Sequence, residues 1–319
     1  METTKNNPAL FDFDSLDSRL WGVACGVGVD SVAMLVALYQ LGKRPHAITF
    51  ADVGAEKAGT YAFIPELQKW LASVDFPELT IVKRRPPKAP YKTIEENMVM
   101  NATLPGATFN MGSCTMAWKI EPQNAWYKLQ PNFRAAMNRG EKIVKLIGFE
   151  AGETHRTNRA DARAHSCGDD PVYDYAYPLM ALGWDREKCK RVIAAAGMPV
   201  PPKSACVFCP NQKPEELSDL TEDERGRIVR VEITAEPYNR KVHGLWRRPR
   251  KSDGRPGSIT RYLIENKIPF THPGRLPLLQ LNPNCKKAKV GSSFAGPHDQ
   301  PALVDLIEDE AHAAIVKRI

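Results

Sequence analysis

The chain is predicted to be an α/β protein, doubly wound around a mostly parallel sheet, with a smaller, mainly helical C-terminal region. Three observations predict it. Short apolar runs of strand length alternate with stretches of helical periodicity over the first half of the chain, the pattern of βαβ units and a parallel sheet. The first apolar run, residues 20–25, enters a turn that carries Gly26 and Gly28 and passes directly into a helix-like stretch. After Tyr177-Pro178-Leu179 the composition shifts to charged helical stretches broken by proline.

Residues 1–18 are polar and acidic and read as a loosely ordered arm. Residues 20–25 form the first strand, and Asp30 and Ser31 cap a first helix that runs to residue 41. The second strand, residues 46–51, is β-branched and aromatic and ends at Asp52-Val53-Gly54-Ala55-Glu56. Phe63, Ile64, Leu67, Trp70 and Leu71 fall on one face of a helix over 61–73. Residues 79–83 form a third strand, and Pro86, Pro87 and Pro90 mark a rigid connection after it. A fourth strand starts at Ile143 and ends at Gly148. A helix over 185–196 is terminated by Gly197 and Pro199. Residues 214–236 read as one or two charged helices, and 258–267 and 300–318 as closing helices. The expected organisation is an arm (1–18), a sheet domain (19–212) and a basic helical region (213–319).

At 319 residues the chain is long enough for one large or two modest domains, each with its own core. Hydrophobic residues at 43% and charged residues at 25% are ordinary for a globular protein. Charge breaks every apolar run well short of a membrane span, and the start lacks a basic-then-apolar signal pattern, so a cytoplasmic protein with no membrane partner is expected. Seven cysteines in a reducing compartment argue against a disulfide framework and for metal-binding or reactive thiols. A net charge of +7 permits a nucleic-acid or phosphate-rich partner without demanding one.

The loop at 25–31 carries the first chemical signal. Gly26 and Gly28 let backbone approach a ligand closely, and the helix start beyond them favours an anion. No lysine follows as a Walker A loop requires, and Ala33 stands where the third glycine of G-x-G-x-x-G belongs. The same residues fit a tight turn that binds nothing. Asp52, at a second strand end, is placed for a ribose or adenine, or is simply solvated. Cys206-x-x-Cys209 can hold one metal from a single turn. A redox dithiol is the other active reading, and prolines on both sides argue against two inert buried thiols. Cys25 reads as core. The cluster from Trp246 to Lys251 offers charge for phosphates and a ring for stacking, or is a solvated basic loop.

Five segments in order carry a family resemblance. Gly26-x-Gly28-x-Asp30-Ser31 resembles the pyrophosphate loop of the adenine nucleotide alpha hydrolases, or PP-loop superfamily. Asp52-x-Gly54-x-Glu56 with Thr60-Tyr61, Cys114-Thr115-x-x-x-Lys119-x-x-Pro122 and Gly148-Phe149-Glu150-Ala151-Gly152-Glu153-x-x-Arg156 resemble segments of its phosphoadenosine phosphosulfate reductase branch. The stretch at 201–210, Pro-Pro-Lys-Ser-x-Cys-x-x-Cys-Pro, is similar to phage-borne members of that branch. The resemblance covers residues 20–212.

The resemblance implies a loop that holds the phosphates of ATP or of a sulfonucleotide. Gly26, Gly28, Asp30, Ser31, Asp52, Glu56 and Gly148 would bind the nucleotide, with Asp30 also orienting the loop or holding Mg²⁺. Lys119 and Arg156 would stabilise charge at the reacting group, their plain alternative being surface salt bridges. Cys114, Cys189, Cys206 and Cys209 would hold a [4Fe–4S] cluster, or zinc, which four thiolates suit equally; Cys285 and Cys167 are the runners-up for the fourth ligand. Two departures stand out: Gly26 replaces the family's serine and Val27 its first glycine.

The family's reductases use a cysteine in a C-terminal tail. This chain ends without one, and the surroundings of Cys285 do not match that tail. The expected function is therefore an ATP-pyrophosphatase that adenylates an acceptor for sulfur or other group transfer. It resembles the ATPase component of DNA phosphorothioation systems and cluster-dependent tRNA thiolation enzymes, with the basic C-terminal third docking nucleic acid. The alternatives are true phosphoadenosine phosphosulfate reduction, with thioredoxin as donor, and a non-catalytic protein that binds nucleotide or nucleic acid.

Overall fold

In a computed structural model, residues 11–86, 88–105, 114–153, 170–238 and 242–273, with 303, 306 and 307, are described. They fall into two compact units. The first comprises 1–52, 58–83 and 120–205, and the second 53–57, 84–119 and 206–319. The sequence placed the division at residue 212; the chain instead leaves the first unit after its second and third strands and returns. Val53, Ala55, Ile94, Met98 and Trp118 leave because their apolar partners are Val207, Phe208 and the C-terminal helices.

The first unit is a five-stranded, all-parallel sheet. The strands are β1 (Trp21–Ala24), β2 (Ala47–Asp52), β3 (Leu79–Lys83), β4 (Ile143–Ile147) and β5 (Tyr173–Ala176). Their spatial order is β3-β2-β1-β4-β5, every neighbouring pair parallel. The fifth strand, Tyr-Asp-Tyr-Ala, has no apolar run long enough to announce itself in the sequence, and it forms by pairing with β4.

Strand periodicity divides the side chains between two faces. Val23, Ile48, Phe50, Val144 and Leu146 enter one core with α1 (Val29–Gln40), α2 (Ala58–Ser73) and the later helix Arg186–Ala195. Ala47 and Ile143 enter the other with α4 (Glu121–Leu129) and α5 (Pro131–Asn138). Helices on both faces make the sheet doubly wound. Helix α1 is buried almost all round, from Ser31 to Leu38, as a helix covered on every side must be. Leu16 is 1% exposed and Lys43 pairs with Asp14 and Asp17, so residues 11–18 are tied down rather than loose as the sequence suggested.

Gly22 shows how tightly the α4 face is packed. A Cβ there would meet the Tyr127 hydroxyl at 2.1 Å and the Ala47 carbonyl at 3.1 Å. Tyr127 cannot step aside, because its ring is held edge-on by Phe133 at 4.8 Å and Trp126 at 5.2 Å. Gly22→Ala is expected to destabilise the fold by about 3 kcal/mol, an overpacking cost. A melting curve superimposable on the parent's would contradict it.

Lys145 lies on the same face, 5% exposed, hydrogen-bonded to Asn124 and over the rings of Tyr173 at 3.8 Å and Tyr127 at 4.8 Å. Burial lowers its pKa to about 7, with Asp170 opposing and Lys128 reinforcing. Between that value and about pH 10 the unfolded chain holds a proton that the native fold releases, so this group makes stability rise with pH. Lys145→Met should therefore gain about 2 kcal/mol over the parent at neutral pH, a gain that shrinks towards pH 10. Denaturation midpoints across that range test it, and a pH-independent difference would refute it.

The second unit packs α3 (Ile94–Met100), α7 (Glu222–Ala235) and α8 (Ile259–Glu265) around one apolar cluster; α6 is Arg186–Ala195 of the first unit. Glu232 is 1% exposed inside it, yet satisfied. Its carboxylate accepts from the backbone N–H groups of Leu245, Ile259 and Thr260 and from the Ser258 hydroxyl, which offsets the cost of burying the charge. No described helix is long and apolar enough to cross a membrane.

Candidate functional site

The strand order reverses between β1 and β4. In a doubly wound sheet the crevice beyond the carboxyl ends of those two strands is the ligand position. The loop after β1 and the loop after β4 meet there. A Cβ on Gly148 would stand 2.9 Å from the backbone of Ser31 and 3.0 Å from that of Asp30, so only glycine lets the β4 loop lie on the first turn of α1.

The β1 loop is held in one shape by its own bonds. Gly28 N–H donates to Ser31 Oγ at 3.2 Å, and the Ser31 hydroxyl lies 3.1 Å from the Gly28 carbonyl. Val27 N–H bonds the thiol of Cys25, which burial otherwise keeps protonated with a raised pKa. Val27 itself has φ +57, a left-handed conformation that is a strain of about 1–3 kcal/mol for a β-branched residue. Its side chain is fully buried, so packing holds the strain in place. The first intrahelical bond of α1 is Val32 N–H to Gly28 O. The N–H groups of Val29, Asp30 and Ser31 therefore have no partners within the helix and mark the positive end of its dipole.

Two further residues shape this crevice, and neither has a role in the motifs read from the sequence. Ser204 donates its hydroxyl to the Gly26 carbonyl, and its Cβ would be 3.0 Å from a Cβ on Gly28. Arg186, the first residue of α6, pairs with Asp30 from 156 residues away. Ser204 stands in a segment already singled out for its cysteines, whereas no local pattern marks Arg186. Asp30 has a raised pKa because it is buried; Arg186 opposes this, and Glu153 and Glu150 add to it. Its Oδ1 is buried with no hydrogen-bond partner among the described residues.

Asp52 lies at the end of β2 with its carboxylate occupied by Lys83 at 3.0 Å and the Tyr61 hydroxyl at 2.6 Å. Arg156, Cys167 and Cys285 lie outside the described residues.

The second unit gathers the other predicted residues. Residues 55–56 pair antiparallel with 206–207, through a Glu56–Cys206 bridge and a 2.8 Å bond from Val207 N–H to the Ala55 carbonyl. The turn from Cys206 to Cys209 closes with a bond from Cys209 N–H to the Cys206 carbonyl at 3.0 Å. Lys119 projects from a π-helical turn, Thr115–Ile120, a rare geometry that recurs at functional sites. Its ammonium is 3.2 Å from the Glu56 carboxylate. Burial works against the Lys119 charge, but Glu56, Cys206 and Cys209 outweigh it and its pKa stands above the ordinary value. Burial pushes both thiols of the pair up. Glu56 adds to the shift at Cys206 and Cys114 to that at Cys209, while Lys119 opposes both.

Three of the four expected metal ligands, Cys114, Cys206 and Cys209, are thus in one unit, next to the Lys119–Glu56 pair. Cys189 is in the first unit, fully buried in its apolar core, where burial and then Asp30 push its pKa to about 12. Its thiol stands among apolar side chains of that core, such as Val192, Ile193 and Leu179. Among the described residues no group of three or more His, Cys, Asp or Glu is arranged to hold an ion. Among the described residues, Cys114, Cys206 and Cys209 are donors of the kind a thiophilic group takes.

The arrangement can bind a phosphate-bearing anion at the head of α1 and present a buried ion pair to sulfur ligands in the second unit. Together these define a class: a doubly wound α/β protein with a glycine-bearing loop at its switch point and, in a second unit, a Cys-x-x-Cys turn beside a Lys119–Glu56 pair. No protein-family model matches the chain, and no curated protein matches it either.

Proposed function

We propose that the chain is a PP-loop enzyme, related in kind to the phosphoadenosine phosphosulfate reductases, that cleaves ATP to pyrophosphate and adenylates an acceptor for sulfur or other group transfer. The observation that carries this reading is the meeting of Gly26, Gly28, the head of α1 and Gly148 where the strand order reverses. The N–H groups of Val29, Asp30 and Ser31 would hold phosphate oxygens. The Oδ1 of Asp30, which has no hydrogen-bond partner among the described residues, would take a water of the Mg²⁺ that accompanies the nucleotide. An acceptor oxygen then attacks the α-phosphorus, the bond to the bridging oxygen breaks, and pyrophosphate leaves with that electron pair. By resemblance alone, Lys119 and Arg156 are the cations that stabilise the developing charge.

Cys114, Cys206 and Cys209 would contribute thiolates to a [4Fe–4S] cluster or zinc, whose chemistry is to hold sulfur. The partner is a nucleic acid docked on exposed Arg248, Arg250 and Lys251. Trp246 is no stacking platform, contrary to the sequence expectation. It is 7% exposed, its indole N–H donates to the Gln212 carbonyl, and Arg255 covers its ring.

Pyrophosphate release from ATP that depends on an added acceptor is the expected result. Sulfite release from phosphoadenosine phosphosulfate with reduced thioredoxin would replace this reading with the reductase. Tight binding without turnover of either would leave a nucleotide-binding protein. Anaerobic purification with metal analysis decides between iron and zinc.

A further inference from the structure

The proposed phosphate site has a charge problem. Residues 25–31 contain no cation, and the loop places the carboxylate of Asp30 at the second position of α1. Glu150 and Glu153, from the loop after β4, add negative potential at Asp30. Unrelieved, three carboxylates would repel a polyphosphate and cancel the helix dipole that attracts it.

Among the described residues, one cation acts on Asp30. Arg186 reaches Asp30 Oδ2 through a single guanidinium nitrogen. It is held rigidly for the purpose. It is the first residue of α6, whose Asp185 cap accepts from Lys188 N–H at 2.7 Å, and α6 packs against α1 in the same core. The Arg186 side chain is 41% exposed while Asp30 is 15% exposed, so the pair faces solvent from the arginine side. Guanidinium has five N–H donors in a planar fork, and one contact to a carboxylate leaves others for phosphate oxygens.

We infer that Arg186 is the phosphate-binding cation of this crevice, neutralising Asp30 and contacting the nucleotide's phosphates in place of a loop lysine. The inference rests on the nucleotide reading above and adds to it a residue that no motif contains. It makes the site selective for polyphosphate over the bare nucleoside, because the contact is to phosphate charge alone.

The test is ATP binding by calorimetry in EDTA, so that Mg²⁺ does not mask the charge, with inorganic pyrophosphate as a competitor. Arg186→Gln should weaken ATP by about tenfold or more, the scale of one charge-assisted contact, while still unfolding in a single cooperative transition. Arg186→Lys should lose less. Adding Asp30→Asn to Arg186→Gln should restore part of the affinity, because the repelling carboxylate is gone; a merely structural arginine would give no such recovery. Parental ATP affinity in Arg186→Gln overturns the inference, as does a double variant no better than the single one. If the unsubstituted protein binds neither ATP nor pyrophosphate, it is the nucleotide reading that fails, not the assignment of Arg186 within it.

Discussion

Gly148→Ala is expected to abolish nucleotide binding and to lower stability together. The added methyl would meet backbone atoms of Ser31 at 2.9 Å and of Asp30 at 3.0 Å, and backbone cannot rotate away as a side-chain tip can. Relief requires the β4 loop to lift or the first turn of α1 to shift. Either movement misaligns the N–H groups of Val29, Asp30 and Ser31, which depend on their shared direction to bind an anion. The overpacking cost is about 1–3 kcal/mol. Loss of binding should exceed the loss of stability, because binding depends on sub-ångström placement of donors while the rest of the sheet is untouched. Titration with ATP and a denaturant melt measure the two effects. An alanine variant that binds ATP as the parent does would show that the two loops do not form one site.

The second large effect is expected at Lys119. Glu56 has a side chain only 1% exposed, and the Lys119 ammonium stands 3.2 Å from its carboxylate. Removing one partner of a buried pair costs about 3–5 kcal/mol, because the remaining charge is stranded. The Lys119 side chain is 43% exposed, so solvent tempers that figure, and Lys119→Met should cost about 1–2 kcal/mol. Glu56→Gln in the same chain should return much of it, a coupling that only a contacting pair shows. Additive losses in the double variant would mean the two residues are stabilised separately. Turnover separates the pair's two roles. If Lys119 acts on the reacting group, the double variant regains stability and stays inactive.

The fold was largely legible before the structure. Strands β1 to β4 and helices α1, α2 and α6 follow from apolar runs and from residues such as Leu67, Trp70 and Leu71 recurring at helical spacing. What escaped were helices α3, α4 and α5 and strand β5, whose Tyr-Asp-Tyr-Ala carries only two buried positions and becomes a strand through its partner. The division of the chain escaped for a related reason. Residues 53–57 and 84–119 look locally like connections, and only the distant apolar surfaces of Val207, Phe208, Ile228 and Val229 make them part of a second unit.

The candidate site was legible in half. Glycine spacing and a helix start are local, so Gly26, Gly28, Asp30 and Ser31 could be singled out from the sequence. The sequence by itself determined the α/β architecture and the segments that line the candidate site, because periodicity, turn residues and short motifs are encoded within a few residues of one another. Only the tertiary structure decided which residues stand together. It set Gly148 against α1, Arg186 on Asp30, and Glu56 with Lys119 beside the Cys206 and Cys209 thiols, and it withdrew Trp246 and Cys189 into cores. Charge pairing and burial are relations between elements far apart in the chain, and no local pattern records them.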